Sequence, residues 1–330
     1  MRSQAEPGNE KRTTTREAEP RILALPGRAW ERETDKTMAN ARALDKRRKS
    51  IGNIRKITRT MELIATARYK KAMDRAAAVT EYTDRLAGIV SSLANSGTEV
   101  AHPLLEPRDN PVRARVLVLT SNRGLCGGYN GAILRAAMDR IAEMRKELDV
   151  IVDVSGKRGV SGLAFRNVPT DREYLEFEDQ PAYAEVEKIA SRYLEDYITG
   201  RIDRLDVIYT RFISTSRQEA TIETLLPLES LADDDPDATT ASVNKEYEFL
   251  PSAESILEEI VPTSFKAKLF KYFLDAAVSE QVARMIAMKG ATESAGDMIK
   301  ELSMTYNRAR QSQITGEIME IIGGVEALGG

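Results

Sequence analysis

Residues 50–68 read SIGNIRKITRTMELIATAR, inside a stretch from Arg42 to about Asn95 that holds no proline and only two glycines, Gly52 and Gly88. Ala, Arg, Lys, Leu, Met and Glu dominate it, residues that give up little rotamer freedom on entering a helix. The stretch therefore predicts one very long helix. Ile54, Ile57, Met61, Ile64 and Arg68 recur at alternating steps of three and four, the seam of a coiled coil rather than the broader stripe of a globular helix. Other faces are basic, with Arg47, Arg48, Lys49, Arg55, Lys56, Arg59, Lys70 and Lys71. Such a basic face serves as an electrostatic nucleic-acid footprint, as a solvated helix face, or as a face that docks on an acidic protein.

The far end of the chain repeats the pattern. After Pro262, Ser264 is placed as an N-cap and a proline-free stretch runs to about Gly323, in which Ile299, Leu302, Tyr306 and Ala309 again step by three and four. Sixty helical residues extend roughly 90 Å at about 1.5 Å per residue, so each helix needs a partner along its length. Two long helices at opposite ends of one chain satisfy each other as an antiparallel coiled coil when the middle folds compactly. Ala287, Gly290, Ala291, Ala295 and Gly296 offer small surfaces for close approach. The stripes also read as core faces of a bundle, but a bundle needs several helices of matched length.

The residues between read mainly as strands and short helices. Residues 115–120 form an apolar, β-branched run; a glycine-rich stretch at 123–131 follows, then helix formers at 132–148 and a second strand at 149–154. Residues 183–197 read as helix, 206–213 and 220–226 as strands, and 247–250 as a weaker strand after an acidic loop at Asp233, Asp234 and Asp235. The order strand, helix, strand predicts a small Rossmann-like α/β domain with a largely parallel sheet. Gly124, Gly127, Gly128 and Gly131 sit where backbone amides cradle phosphate in nucleotide-binding folds. Their spacing fits neither the dinucleotide nor the phosphate-loop pattern, and Gly156 and Lys157 are followed by Arg158. A tight turn with close helix packing is the better reading.

Composition narrows the function classes. The chain has 330 residues, 42% hydrophobic, with a net charge of −3 and a single cysteine and histidine. Cys126 has no partner for an internal disulfide, and with His102 it makes no metal-ligand cluster, so neither a cofactor nor a metal is expected. Cys126 lies in the glycine loop, where a helix N-terminus can lower a thiol pKa, but a nucleophile also needs a base and an orienting group. His102, beside Pro103, reads as a loop residue. The longest apolar runs fall short of the roughly 18 to 20 residues that span a bilayer, so any link to a membrane is expected to be peripheral. Residues 1–37 are polar, broken by Pro7, Pro20 and Pro26, and mix Arg with Glu. They are expected to be a disordered or mis-called extension before Met38. The expected organisation is thus an extension at 1–37, a shaft helix at 38–100, an α/β domain at 112–252 and a second shaft helix at 253–330.

SIGNIRKITRTMELIATAR resembles the N-terminal helix of the gamma-subunit family of rotary, F-type ATP synthases. SEQVARMIAMK at 279–289 and IKELSMTYNRARQSQIT at 299–315 resemble its C-terminal helix, and SNRGLCGGYN at 121–130 is similar to its loop after the first strand. TRFIST at 210–215 and TIETLLPL at 221–228 resemble its later strands. The resemblance spans residues 38–328 in order. It implies a non-catalytic shaft that turns inside a hetero-hexameric ring of alpha and beta subunits and takes part in ATP synthesis and hydrogen-ion transport. The foot of the α/β domain is implied to dock on the epsilon subunit and the c-ring. Membrane association then comes only through the complex, on the cytoplasmic face of a bacterial plasma membrane, and nucleic acid is no partner.

Carried over by motif, Met61 is implied to face a beta-subunit loop with Arg284 opposite it in the C-terminal helix. Arg310, Gln311 and Thr315 match the upper contact with the ring. Tyr247 and Glu248 stand where the foot meets epsilon and the c-ring, although the family strand there is richer in tyrosine. The paired cysteines of light-regulated chloroplast relatives are absent. Two other classes fit parts of the chain. An enzyme predicts a phosphate fingerprint or a titratable cluster, and a coiled-coil adaptor does not require an α/β insertion between its helices.

Overall fold

The computed structural model describes residues 27–94, 102–105, 108, 110–177, 180–228 and 253–328. In chain order these form α1 (Gly27–Ala94), β1 (Arg113–Leu119), α2 (Tyr129–Met144), β2 (Asp149–Ser155), α3 (Lys157–Ala164), β3 (Glu173–Tyr174), α4 (Tyr183–Ile198), β4 (Arg204–Phe212), β5 (Gln218–Leu226) and α5 (Ala253–Leu328). The strand read at 247–250 lies outside the described residues. Helix α1 starts directly after Pro26, before the expected onset at 38, so residues 27–37, read as part of a disordered or mis-called extension, are helical; no further proline interrupts the chain until Pro103.

The strands order as β3-β2-β1-β4-β5, parallel throughout except for the antiparallel edge β4–β5. Helices cover both faces, which is why β1 and β4 are buried along most of their length. Alternation along β1 sends Ala114, Val116 and Val118 to one layer, with Ile133, Leu134, Ala137 and Ile141 of α2 and Leu163 of α3. Leu117 and Leu119 go to the other, with Val186, Ile189, Tyr193 and Tyr197 of α4 and Phe265, Leu269, Tyr272 and Phe273 of α5. The shaft helix α5 is therefore also a structural layer of the α/β domain.

That double role explains why the local signals at Pro262 and Ser264 mark no helix start. The helix begins at Ala253 and runs through Pro262, and Ser264 is a buried interior residue, not an N-cap. An interior proline costs about 3 kcal/mol. Leu257, Val261 and Phe265, four residues apart, are all buried in the core, and full burial of such side chains contributes about 1.5–3 kcal/mol each. Packing outweighs the local penalty.

Charged groups inside the domain are paired. The guanidinium of Arg115, on β1, donates through Nη1 to both carboxylate oxygens of Asp153 at 2.8 and 2.9 Å and to Asp171 at 2.9 Å, and Tyr193 donates to Asp153 at 2.8 Å. Asp203 accepts from the backbone N–H groups of Val112 and Arg113 at 3.0 and 2.9 Å and from Arg108 at 3.1 Å, anchoring the entry to β1. Burial alone raises the Asp203 pKa. The two backbone donors, with the charges of Arg108 and Arg113, outweigh it and hold the carboxyl below its ordinary 3.8.

The chain divides into two compact units. One is Ile51–Asp297; the other joins the chain's ends, through Ser50 and from Met298. The division falls inside both long helices. Within Ile51–Asp297, Thr292 donates to Thr58 at 2.8 Å, Gly296 faces Arg55, and Ala72 and Ala76 cluster with Leu274 and Val278. Residue numbers rise on α1 as they fall on α5, so the pairing is antiparallel. Within the other unit, Arg48 of α1 stacks over the ring of Tyr306 of α5 at 5.1 Å to the centroid.

Candidate functional site

The seam of α1 within Ile51–Asp297 differs from the one read in the sequence. Thr58, Glu62, Ala65, Ala72 and Ala76 are buried, again at steps of three, four and seven but displaced from the isoleucines. Ile54, Ile57 and Ile64 are 46%, 59% and 47% exposed. The reason is steric: small side chains let two backbones approach, and the Thr58–Thr292 hydrogen bond needs that approach. The isoleucines are left as an outward apolar stripe, with Met61 half-buried at its edge. On α5, Ala295 and Gly296 do line the contact, but Gly290 is exposed and has open space around it.

The glycine loop between β1 and α2 is shaped by backbone geometry. Leu125 and Gly127 both have left-handed φ, at 66° and 57°, and a Cβ on Gly127 would meet the Ala287 Cβ of α5 at 3.6 Å. Tyr129 donates from its hydroxyl to the Ala276 carbonyl at 3.0 Å, and burial pushes its pKa well up. Cys126 is buried, with Asn130 donating to its sulfur at 3.1 Å. His102 accepts the Leu104 N–H at 3.1 Å through Nδ1, a local turn contact. The tight turn packed on a helix is the arrangement the spacing predicts.

Arg284 sits against this loop rather than opposite Met61. It is 5% exposed and donates to the Gly124 and Arg123 carbonyls at 3.3 and 3.4 Å and to Glu280 at 2.5 Å. The register of Thr58 with Thr292 carries Met61 towards Lys289, a turn and more beyond Arg284. Family alignment of motifs does not report helix phase, which explains the difference.

In the unit formed by the chain's ends, Arg42, Asp45, Lys46 and Lys49 of α1 and Tyr306, Arg310, Gln313 and Ile314 of α5 line a groove of about 580 Å³. Arg310, Gln311 and Thr315 are exposed, and Ile299, Leu302, Tyr306 and Ala309 are half-buried, as their spacing predicts. Towards the end of α5, Ile318, Met319, Ile321, Ile322, Val325 and Leu328 are also exposed. Tyr247 and Glu248 lie outside the described residues. Among the described residues no helix is long and apolar enough to cross a membrane. Sequence reasoning missed Glu280 and the Arg115–Asp153 pair. Only charges placed inside apolar runs hinted at the latter.

These features define a class: a protein of two long terminal helices paired antiparallel and carried on a small, mostly parallel α/β domain. The ATP synthase family pattern matches residues 40–328. An ATP synthase gamma chain from Rhodopirellula baltica is 75% identical over 296 residues, 89% of this chain and all of that protein. Another, from Saccharopolyspora erythraea, is 38% identical over 306 residues, 88% of this chain and 98% of that one. Among solved structures, a chain of the Euglena gracilis mitochondrial ATP synthase superposes with a TM-score of 0.59 at 18% identity, covering 88% of this chain and 95% of that chain. A chain of the Tetrahymena thermophila central stalk and c-ring gives 0.52 at 20%, covering 71% and 99%. At those identities the likeness is one of fold. The chain belongs to the gamma subunits of the F-type ATP synthase, the non-catalytic rotor component of its central stalk.

Proposed function

We propose that this chain carries torque between a proton-driven c-ring and the catalytic ring of alpha and beta subunits, with the epsilon subunit docked on its foot. The observation that carries the reading is the match to a gamma chain at 75% identity over the whole of that relative. The surface supports it. A rotating shaft must meet each ring position in turn without one contact becoming a deep trap. Exposed Ile54, Ile57 and Ile64, half-buried Met61 and the apolar end of α5 give contacts that are adaptable and carry no charge. Arg310, Gln311 and Thr315 are exposed and available to the ring; Tyr247 and Glu248 are assigned to the foot. Placement on the cytoplasmic face of a bacterial plasma membrane follows from that assembly.

Purification of the tagged chain from its native membranes tests this, with co-purifying subunits identified by mass spectrometry and ATPase activity assayed. Recovery of alpha, beta, epsilon and c subunits, with coupled activity lost when the chain is deleted, is the expected result. A chain recovered alone, or a complex equally coupled without it, contradicts the proposal.

A further inference from the structure

We propose that Arg284 is a positioning residue that latches α5 to the β1–α2 loop, so that torque passes between the α/β domain and the shaft helix through this fastening. The proposal rests on the rotor reading. An arginine that met a partner in turn would stand at the surface, yet Arg284 is 95% buried and its donors point inward. Its planar fork reaches two consecutive carbonyls, of Arg123 and Gly124, while Glu280 one turn earlier neutralises it at 2.5 Å. The loop is bent to present those carbonyls, through the left-handed backbone at Leu125 and Gly127. Neighbouring turns of α5 are fastened too: Tyr129 to the Ala276 carbonyl, Ser279 to the Thr210 carbonyl at 3.2 Å, and Gly127 against Ala287. Arg284 is the charged member of this row. Its Nη1 is buried with no acceptor among the described residues, so the competing reading is that the side chain turns outward in the assembly and meets a partner subunit.

A disulfide separates the two. A Cβ at position 127 lies 3.6 Å from that of Ala287, within the roughly 3.5–4.5 Å range of disulfide-bonded cysteines. The Gly127→Cys, Ala287→Cys pair, in a Cys126→Ala background, can therefore replace the latch covalently, and the reduced pair measures by itself the strain that a side chain at the left-handed residue 127 adds. In the whole membrane-bound complex, Arg284→Ala is expected to lower the protons pumped per ATP hydrolysed. Amide exchange across residues 122–128 should quicken by roughly tenfold, the effect of losing hydrogen bonds to a charged group. Oxidation of the cysteine pair in the Arg284→Ala chain restores both, and reduction removes the rescue.

An unchanged pumping ratio in Arg284→Ala overturns the proposal, as does an oxidised complex no better coupled than the reduced one; the latter identifies a direct partner contact. Glu280→Gln, which needs no disulfide, must give a smaller loss of the same ratio, and an unchanged ratio there also overturns the latch. Failure of the unsubstituted chain to support pumping would instead contradict the rotor reading itself.

Discussion

Met61 is half-buried on α1, between the seam residues Thr58 and Glu62 on one side and the exposed Ile57 and Ile64 on the other. Met61→Lys adds a cation beside the apolar stripe of Ile57 and Ile64. A new exposed ion pair contributes about 0.5–1 kcal/mol, enough to hold one ring position roughly two- to fivefold longer than the others. ATP-driven proton pumping should fall by about that factor while ATP hydrolysis falls less; equal loss of both in membrane vesicles counts against the idea. Asp203 gives a second test. Its folded pKa is held below 3.8, so its contribution to stability is present above the unfolded value and lost as pH falls through the folded one. The difference in urea midpoint between the native chain and Asp203→Asn should be constant above about pH 5 and narrow below it. A gap that widens in acid is inconsistent with the assigned partners. The partners of Asp203 and of Arg115 are not specified by the sequence pattern, because each pairing depends on segments brought together across tens of residues.

At the scale of elements, periodicity was a good guide where one face decides the structure. Strands β1, β2 and β4, helices α2 and α4 and the half-buried stripe of α5 at Ile299, Leu302, Tyr306 and Ala309 fall close to where their patterns place them. Helix α3 escaped notice because Gly159 and Gly162 argue against a helix. Its packing explains them: a Cβ at Gly159 would lie 2.5 Å from Thr120 and Val154, and one at Gly162 would lie 2.4 Å from Leu134. The α1 seam departs from the isoleucine stripe for the converse reason, since close helix pairing selects Ala65, Ala72 and Ala76 over large apolar side chains. Not every glycine is required by packing. Gly290 is exposed in the middle of α5 with nothing near it, so Gly290→Ala should stabilise the chain by about 0.5–1 kcal/mol, seen as a raised urea midpoint. Destabilisation would show that α5 is not a regular helix there.

For the whole molecule, the decisive feature is that α5 serves two ends at once. Its residues from Leu257 to Ala276 are built into the domain core, and the same helix continues without a break to Leu328, where its apolar residues are exposed. A helix rooted in a folded domain can transmit rotation; a free-standing coiled coil, with nothing at its base, cannot. The composition and periodicity alone supported only a coiled-coil interaction protein with an α/β domain, and the motor was legible only through the resemblance of several motifs in one order. The most direct test of the account is single-molecule rotation: the alpha and beta ring is fixed to a surface, a bead is attached to the α/β domain of this chain, and ATP is added. The account predicts continued rotation of the bead in one direction, slowing as ATP is diluted; ATP hydrolysis by the same complexes with the bead stationary would contradict it.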